Sequence, residues 1–314
     1  MRVRELGRRP IRRVLVHGLA YFGQMFAKSM SGNGWEFRYY PDSGIGNLTA
    51  MARELYACDV AYQIGGRVTF GKFLRVANIL RKKKIVMHWV GSDVLDERET
   101  VVAGESEPWI TQCLHHWAVS DWLKREVEAL KISCERVPLS SSHIPEKPTP
   151  LPSKFGVLVY VPTTRRSSLY GLDRILQVAR ELSHISFDLV GLSEGLVPDP
   201  PSNLRVHGRV QNLLDFYKQA TVLWRPVRHD GLSCMVLEAL GHGRHVLWTY
   251  PFPGCVQVRT ASEASDQIIR LHALHECGQL QINCVGVRAI AEGGYLPQQL
   301  RINIRDRLER ILES

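Results

Sequence analysis

No run of about 18 consecutive apolar residues occurs in this 314-residue chain, so the sequence offers no membrane-spanning helix. The arginine-rich start, Met1 to Arg13, is followed only by Val14-Leu15-Val16 before His17 and Gly18, too short an apolar core for a secretory signal. The seven cysteines, Cys58, Cys113, Cys134, Cys234, Cys255, Cys277 and Cys284, contain no C-x-x-C pair. An odd, dispersed set lacks the spacing of a zinc site or a disulfide framework and points to a reduced compartment. The loose cluster of His272, His275 and Cys277 reads as part of a helical surface, and no metal is assigned. A Ser-His-Asp order, a Cys-His couple, H-E-x-x-H and the P-loop are all missing, which removes the hydrolase, zinc-protease and P-loop kinase readings. Internal repeats and low-complexity tracts are absent as well. Acidic residues are outnumbered 31 to 40 by Lys and Arg, and the resulting charge of +9 suits an anionic substrate, an anionic membrane surface or a nucleic acid equally.

What the chain has is alternation. A hydrophobic content of 45% over this length can bury two cores. Short β-branched runs alternate with helical stretches, the pattern of parallel α/β units. In the first half the pattern predicts strands near 14–17, 37–40, 60–63, 85–89, 117–120 and 135–138, with helices near 70–81 and 122–130. The stretch 137–153 carries Pro138, Pro145, Pro148, Pro150 and Pro152 and reads as a linker. A second alternating set follows, with strands near 155–161, 186–190, 204–207, 221–224 and 246–250. Its helices fall near 172–182, 210–219, 232–240, 264–275 and 298–312. The expectation is an α/β chain with a domain over 1–140, a linker over 141–153 and a domain over 154–314, the last helix packing back on the first domain. Two doubly wound sheets of this kind would place ligands in a central cleft, beyond the carboxyl ends of their strands.

The densest signal is His229-Asp230-Gly231-Leu232-Ser233 followed by Cys234 to Leu240, where Asp230 and Glu238 stand eight residues apart. Asp230 reads as the N-cap of a helix, and Gly231 admits a ligand close to the backbone. Glu238 would lie about 10–12 Å farther along the axis. A helix start attracts anions, and a carboxylate accepts from ribose hydroxyls. Glu238 is also flanked by Cys234, Met235, Leu237, Ala239 and Leu240, surroundings in which an unpartnered carboxylate is costly.

The stretch from Arg225-Pro226 through Gly243 and on to Trp248 resembles the donor-binding segment of family 4 retaining glycosyltransferases, whose fold is GT-B: two Rossmann-like, doubly wound parallel-sheet domains. The family pattern is an acid, seven residues and a Glu, the first acid usually being Glu, so Asp230 is a shorter variant by one methylene. The resemblance implies that Asp230 faces the transferred sugar, that the amides of Gly231, Leu232 and Ser233 meet the sugar-nucleotide, and that Glu238 takes the ribose.

Three other strand ends carry candidates. His88-Trp89-Val90-Gly91-Ser92-Asp93 follows the strand at 85–89 and is similar to an H-x-x-G-x-D segment of GT-B enzymes, which implies that His88 contacts sugar or acceptor while Asp93 shapes the pocket. Gly18 and Tyr21, after the first strand, mark a turn where backbone can approach a ligand. Arg165 and Arg166, after the strand at 155–161, can grip a diphosphate with a guanidinium fork. In the family a Lys-Gly pair follows that arginine; here the lysine position is Tyr170, and Arg225 or Arg228 is the candidate replacement cation.

The resemblance implies a metal-independent, retaining hexosyltransferase in which the departing phosphate takes the acceptor proton. No cofactor is expected, the nucleotide-diphosphate sugar serving as co-substrate. The partners expected are that sugar-nucleotide and a polysaccharide or lipid-linked glycan acceptor, with no nucleic acid. Cytoplasmic localisation is expected, with helices carrying Lys72, Arg75, Arg81 to Lys84, Lys124 and Arg125 available to lean on the anionic inner face of the plasma membrane. The alternative is a non-catalytic sugar-nucleotide-binding homologue or partner subunit, motivated by Tyr170 and Asp230.

Overall fold

The two innermost strands of each sheet are buried along all or nearly all of their length, and that is why their sequences read as apolar runs rather than as alternation. The computed structural model describes residues 11–41, 48–139 and 143–314. The chain divides into one unit of Met1–Ser142 with Pro297–Ser314 and another of His143–Leu296.

The first unit runs β1 (Arg12–Gly18), α1 (Ala20–Met30), β2 (Trp35–Tyr39), α2 (Leu48–Ala57), β3 (Val60–Ile64), α3 (Lys72–Ile79), β4 (Ile85–Trp89), α4 (Asp93–Val102), α5 (Pro108–Cys113), β5 (His115–Ala118), α6 (Asp121–Ala129) and β6 (Cys134–Arg136). Among the described residues these strands form a six-stranded sheet in the order β2-β1-β3-β4-β5-β6, with every pair parallel. All five residues of β3 and of β4 are buried, as helices covering both faces require, whereas the edge strand β2 alternates buried and exposed positions.

The second unit runs β7 (Gly156–Val161), α7 (Leu172–Glu181), β8 (Ser186–Gly191), β9 (Leu204–Val206), α8 (Leu214–Gln219), β10 (Val222–Arg225), α9 (Cys234–Gly241), β11 (His245–Trp248), β12 (Cys255–Gln257), α10 (Ala261–Glu276) and α11 (Cys284–Glu292). Its sheet has the order β12-β11-β10-β7-β8-β9, again wholly parallel. The last helix, α12 (Pro297–Glu313), belongs to the first unit. There Arg305 donates to the Met30 carbonyl, and Arg307 pairs with Glu135 at 3.1 Å.

Several element ends differ from the sequence reading for local reasons. The helix expected over 70–81 is α3, and it stops because Arg81 takes a left-handed φ of 52°. Helix α10 starts three residues earlier than expected, on a capping box in which Thr260 and Glu263 each accept from the other's backbone amide. The unexpected α1 has Leu19 at its N-cap and no capping side chain, so no start signal is present in the sequence.

Within residues 143–153, Thr149 and Pro150 are tied to the second unit by Arg244, which is fully buried and donates mainly to backbone carbonyls. Its guanidinium donates to Thr149 and Pro150, to His242 at 3.0 Å and to Ala220 at 3.3 Å. Burial lowers its pKa to about 10. Replacing Arg244 with Met orphans several buried carbonyls at once, and the expected cost is about 3 kcal/mol or more in urea unfolding. A loss near zero would show that water satisfies those carbonyls.

Candidate functional site

In the second sheet the strand order reverses between β7 and β10, and in open parallel sheets the crevice at such a reversal, beyond the carboxyl ends, is where ligands bind. The segments leaving those two strands are 162–171 and 226–233. They carry Arg165, Arg166, Asp230, Gly231, Leu232 and Ser233, with Arg225 as the last residue of β10. The strand reversal therefore gathers most of the residues singled out in the sequence.

Arg225 is the hub. Its guanidinium is 4% exposed and donates to Asp230 Oδ2 at 2.5 Å. It lies over the ring of Tyr160 at 5.6 Å and over that of Tyr170 at 5.5 Å, so the aromatic residue at the expected lysine position packs directly on one of the two candidate replacement cations. Burial works against the charge on Arg225, but Asp230, Tyr170 and Tyr160 outweigh it and raise its pKa. Burial also raises the pKa of both phenols. Arg225 Nε has no partner among the described residues, one unsatisfied buried donor at the end of β10. Asp230 receives a further backbone tie, its N–H donating to the Tyr250 hydroxyl at 3.2 Å.

Asp230 is not the N-cap that the sequence suggested. Helix α9 begins at Cys234, its N-cap is Ser233 with no side-chain cap bond, and Asp230 stands ahead of it with its carboxylate on Arg225. A full charge pair with a buried guanidinium outweighs a cap contact to amides. Only Cys234 to Glu238 is helical, a rise of about 6 Å rather than the longer axial distance expected. Gly231, Leu232 and Ser233 are buried between the two acids.

Glu238 is 4% exposed and has partners. Its Oε2 accepts from the buried Tyr217 hydroxyl at 2.6 Å, and its Oε1 lies 3.5 Å from His143 Nδ1. The Glu238 carboxylate raises the His143 pKa. Tyr217 in turn stacks on His242, ring centroids 5.4 Å apart. Neither Tyr217 nor His143 was found from sequence, since they lie 21 and 95 positions from Glu238 and no spacing rule links them.

Arg165 sits exposed in a 3-10 turn over Thr164–Arg166, beside the half-buried Arg166. Arg228 forks onto Asp173 at 2.7 and 3.4 Å and also donates to the Ser168 carbonyl, joining the two loops. Gly171 starts α7 at a φ of 71°, and a Cβ there would fall 2.4 Å from the Pro226 carbonyl oxygen.

The first-unit candidates have strong structural duties. His88 has no exposed surface; Nδ1 lies 2.7 Å from the Tyr62 hydroxyl and Nε2 2.8 Å from the Val137 carbonyl. Burial drops its pKa to about 4. The direct sugar contact expected of His88 is not offered by a ring with both nitrogens occupied in the core. The Asp93 carboxylate is not free either: it accepts from the amides of Gly66, Val90 and Gly91, at 2.7 Å for Gly91, and staples two strand ends together. Burial nonetheless raises its pKa. Gly18 has a φ of 105°, and a Cβ would fall 1.9 Å from the Ile64 carbonyl oxygen, so packing alone demands glycine. Tyr21 is 54% exposed. Among the described residues no group of three or more His, Cys, Asp or Glu could hold a metal ion.

No family model matches the chain, and no curated protein matches it. Solved structures do. A sucrose-phosphate synthase from Thermosynechococcus elongatus superposes with a TM-score of 0.72 at 10% identity, covering 96% of this chain and 99% of that one. HepE from Anabaena, in complex with UDP-glucose, gives 0.71 at 10% identity over 95% and 99%. A glycosyltransferase from Rickettsia africae gives 0.66 at 10% identity over 96% and 99%. The architecture is thus GT-B, two Rossmann-like doubly wound parallel-sheet domains.

These partners have measurable consequences. Tyr217→Phe removes a donor from a buried carboxylate and is expected to cost about 1.5–3 kcal/mol in urea unfolding, with Glu238→Gln milder than Glu238→Ala. Equal stability of Tyr217→Phe and the native chain would deny the bond. His88, His116 and His242 each have a pKa of about 4 from burial, below the unfolded value. Between those values the unfolded chain takes up protons that the folded chain refuses, so stability falls as pH drops from about 6.5 to 4, at up to about 1.4 kcal/mol per unit for each ring. Flat stability across that window would contradict their buried, neutral state.

Proposed function

We propose that the chain is a metal-independent, retaining glycosyltransferase that moves a sugar from a nucleotide-diphosphate sugar to a polysaccharide or lipid-linked glycan. One observation carries the reading: at the β7–β10 reversal a buried Arg225–Asp230 pair keeps one unpartnered donor, and the next helix presents a second oriented carboxylate, Glu238. The GT-B architecture supports it, as does the likeness to a protein solved with UDP-glucose.

In this reading the diphosphate meets Arg225, with Arg165 and Arg166 supplying further guanidinium groups from the facing segment. Fixed cations at a site shielded from water stabilise the charge that grows on the leaving group. Gly231, Leu232 and Ser233 let backbone approach the sugar-nucleotide. Asp230, with one oxygen fixed by Arg225, turns toward the hydroxyls of the transferred sugar. Glu238 accepts from the ribose diol while Tyr217 holds its other oxygen. The departing phosphate receives the acceptor proton, so no separate base is needed. In the first unit Asp93 shapes the strand ends, Gly18 and Tyr21 border the acceptor, and His88 supports them from the core. The setting proposed is cytoplasmic, with peripheral contact at an anionic membrane face.

The test is a thermal-shift panel of UDP-, GDP- and ADP-linked sugars, with donor hydrolysis measured alongside. At least one sugar-nucleotide is expected to stabilise the native chain, and Glu238→Ala to abolish the shift. Asp230→Asn is expected to keep most of the shift and lose about 100-fold or more in turnover. A shift without hydrolysis or transfer would leave a non-catalytic binder, and no shift with any of them would end the proposal.

A further inference from the structure

Helices α2 and α3 lie on the same face of the first sheet. The crossovers from β2 to β3 and from β3 to β4 run in the same direction across the strand order, and right-handed connections place both helices on one side. The two helices pack against each other, and Lys82, just past α3, donates to the Cys58 carbonyl just past α2. Their outward residues therefore make a single surface.

That surface is basic and carries large apolar side chains. Its exposed cations are Arg53, Lys72, Arg75, Arg81 and Lys83. No acid is exposed on either helix; Glu54, their one acidic residue, is partly buried and bound to Arg38 at 2.7 Å. Within this field Tyr56 is 83% exposed and Ile79 73% exposed, values high enough that neither contributes to the core. Ile79 follows Lys72 and Arg75 at helical spacing, so apolar and basic groups share one face of α3.

We propose that the α2–α3 face docks on an anionic lipid bilayer, with Tyr56 and Ile79 entering the headgroup region and the five cations binding lipid phosphates. This develops the peripheral-membrane part of the function proposed above and stands apart from sugar transfer. Charge complementarity selects an anionic partner, and the apolar groups select the lipid. A tyrosine with an apolar ring and polar tip suits the interface, and an exposed isoleucine gains by leaving water there. A nucleic acid would use the cations and gain nothing from Ile79. Each basic residue near such a surface strengthens binding about fivefold.

The experiment uses the full chain in cosedimentation with vesicles of phosphatidylcholine alone and of equal parts phosphatidylcholine and phosphatidylglycerol. Binding is expected only to the second kind and to weaken with salt. Arg75→Glu with Lys83→Glu, and separately Ile79→Ser with Tyr56→Ser, should each weaken it at least tenfold while leaving the nucleotide-induced thermal shift unchanged. Tyr56→Trp keeps the apolar group, and its emission after subtraction of the native chain's seven tryptophans gives a direct readout, moving to shorter wavelength on anionic vesicles. The proposal is overturned if the native chain ignores both vesicles or binds them equally. It is also overturned if the Ser variants pellet like the native chain, if the emission of the Tyr56→Trp variant stays fixed, or if RNA is retained more tightly than vesicles through the same cations.

Discussion

The ion pair between Arg225 and Asp230 is the constraint around which the second unit's loops are arranged. A guanidinium only 4% exposed needs a counter-charge, and Asp230 leaves the helix start to provide it. The pair holds the end of β10 against Tyr160 of β7 and Tyr170 before α7, so both strand-end segments at the reversal are set by a single contact network. Arg228 on Asp173 and Gly171 against Pro226 close the same gap from outside. Deleting one partner would strand the other charge in the core, an imbalance of about 3–5 kcal/mol. Such a pair is a poor source of stability compared with apolar packing, and in the proposed function its value lies in presenting fixed charge to a diphosphate.

Glu238 obeys the same rule on the next helix. Its burial is tolerated because Tyr217 and His143 stand at its two oxygens. His143 opens the segment that Arg244 fastens through Thr149 and Pro150, and Thr149 also lies 3.4 Å from His242, the ring that stacks on Tyr217. The carboxylate proposed to take the ribose is therefore braced by α8 and by residues 143–150 together.

Much of the architecture was legible in the chain. The strands lie near where β-branched runs place them, because burial on both faces demands apolar side chains at successive positions, except β12, a short and largely exposed edge strand that the pattern did not announce. Helices were harder wherever tertiary contacts replace local signals: α1 has no capping side chain, and α3 ends at a left-handed Arg81 that no residue preference announces. The acid pair and the arginines could be picked out by position, and Tyr170 by the resemblance; all but Glu238 lie on the two segments at one strand reversal or at the strand end between them, and Glu238 follows on the next helix. Their bonding could not be read, since Asp230 has both Arg225 five positions before it and helix-start amides after it within local reach, and only the fold shows which contact prevails. Tyr217 and His143 are invisible to any local pattern. His88 and Gly18 show the reverse case, residues chosen for chemistry whose visible neighbours, a Tyr62 hydroxyl and the Ile64 backbone, also give them structural duties.

The most direct measurement is a crystal structure of the chain with the nucleoside diphosphate that binds it best. Diphosphate oxygens are expected within about 3 Å of the Arg225 guanidinium and ribose hydroxyls on the Glu238 carboxylate, with Tyr217 still in place. A nucleotide bound elsewhere in the chain, with the Arg225–Asp230 pair and the Glu238 carboxylate untouched, would contradict that placement.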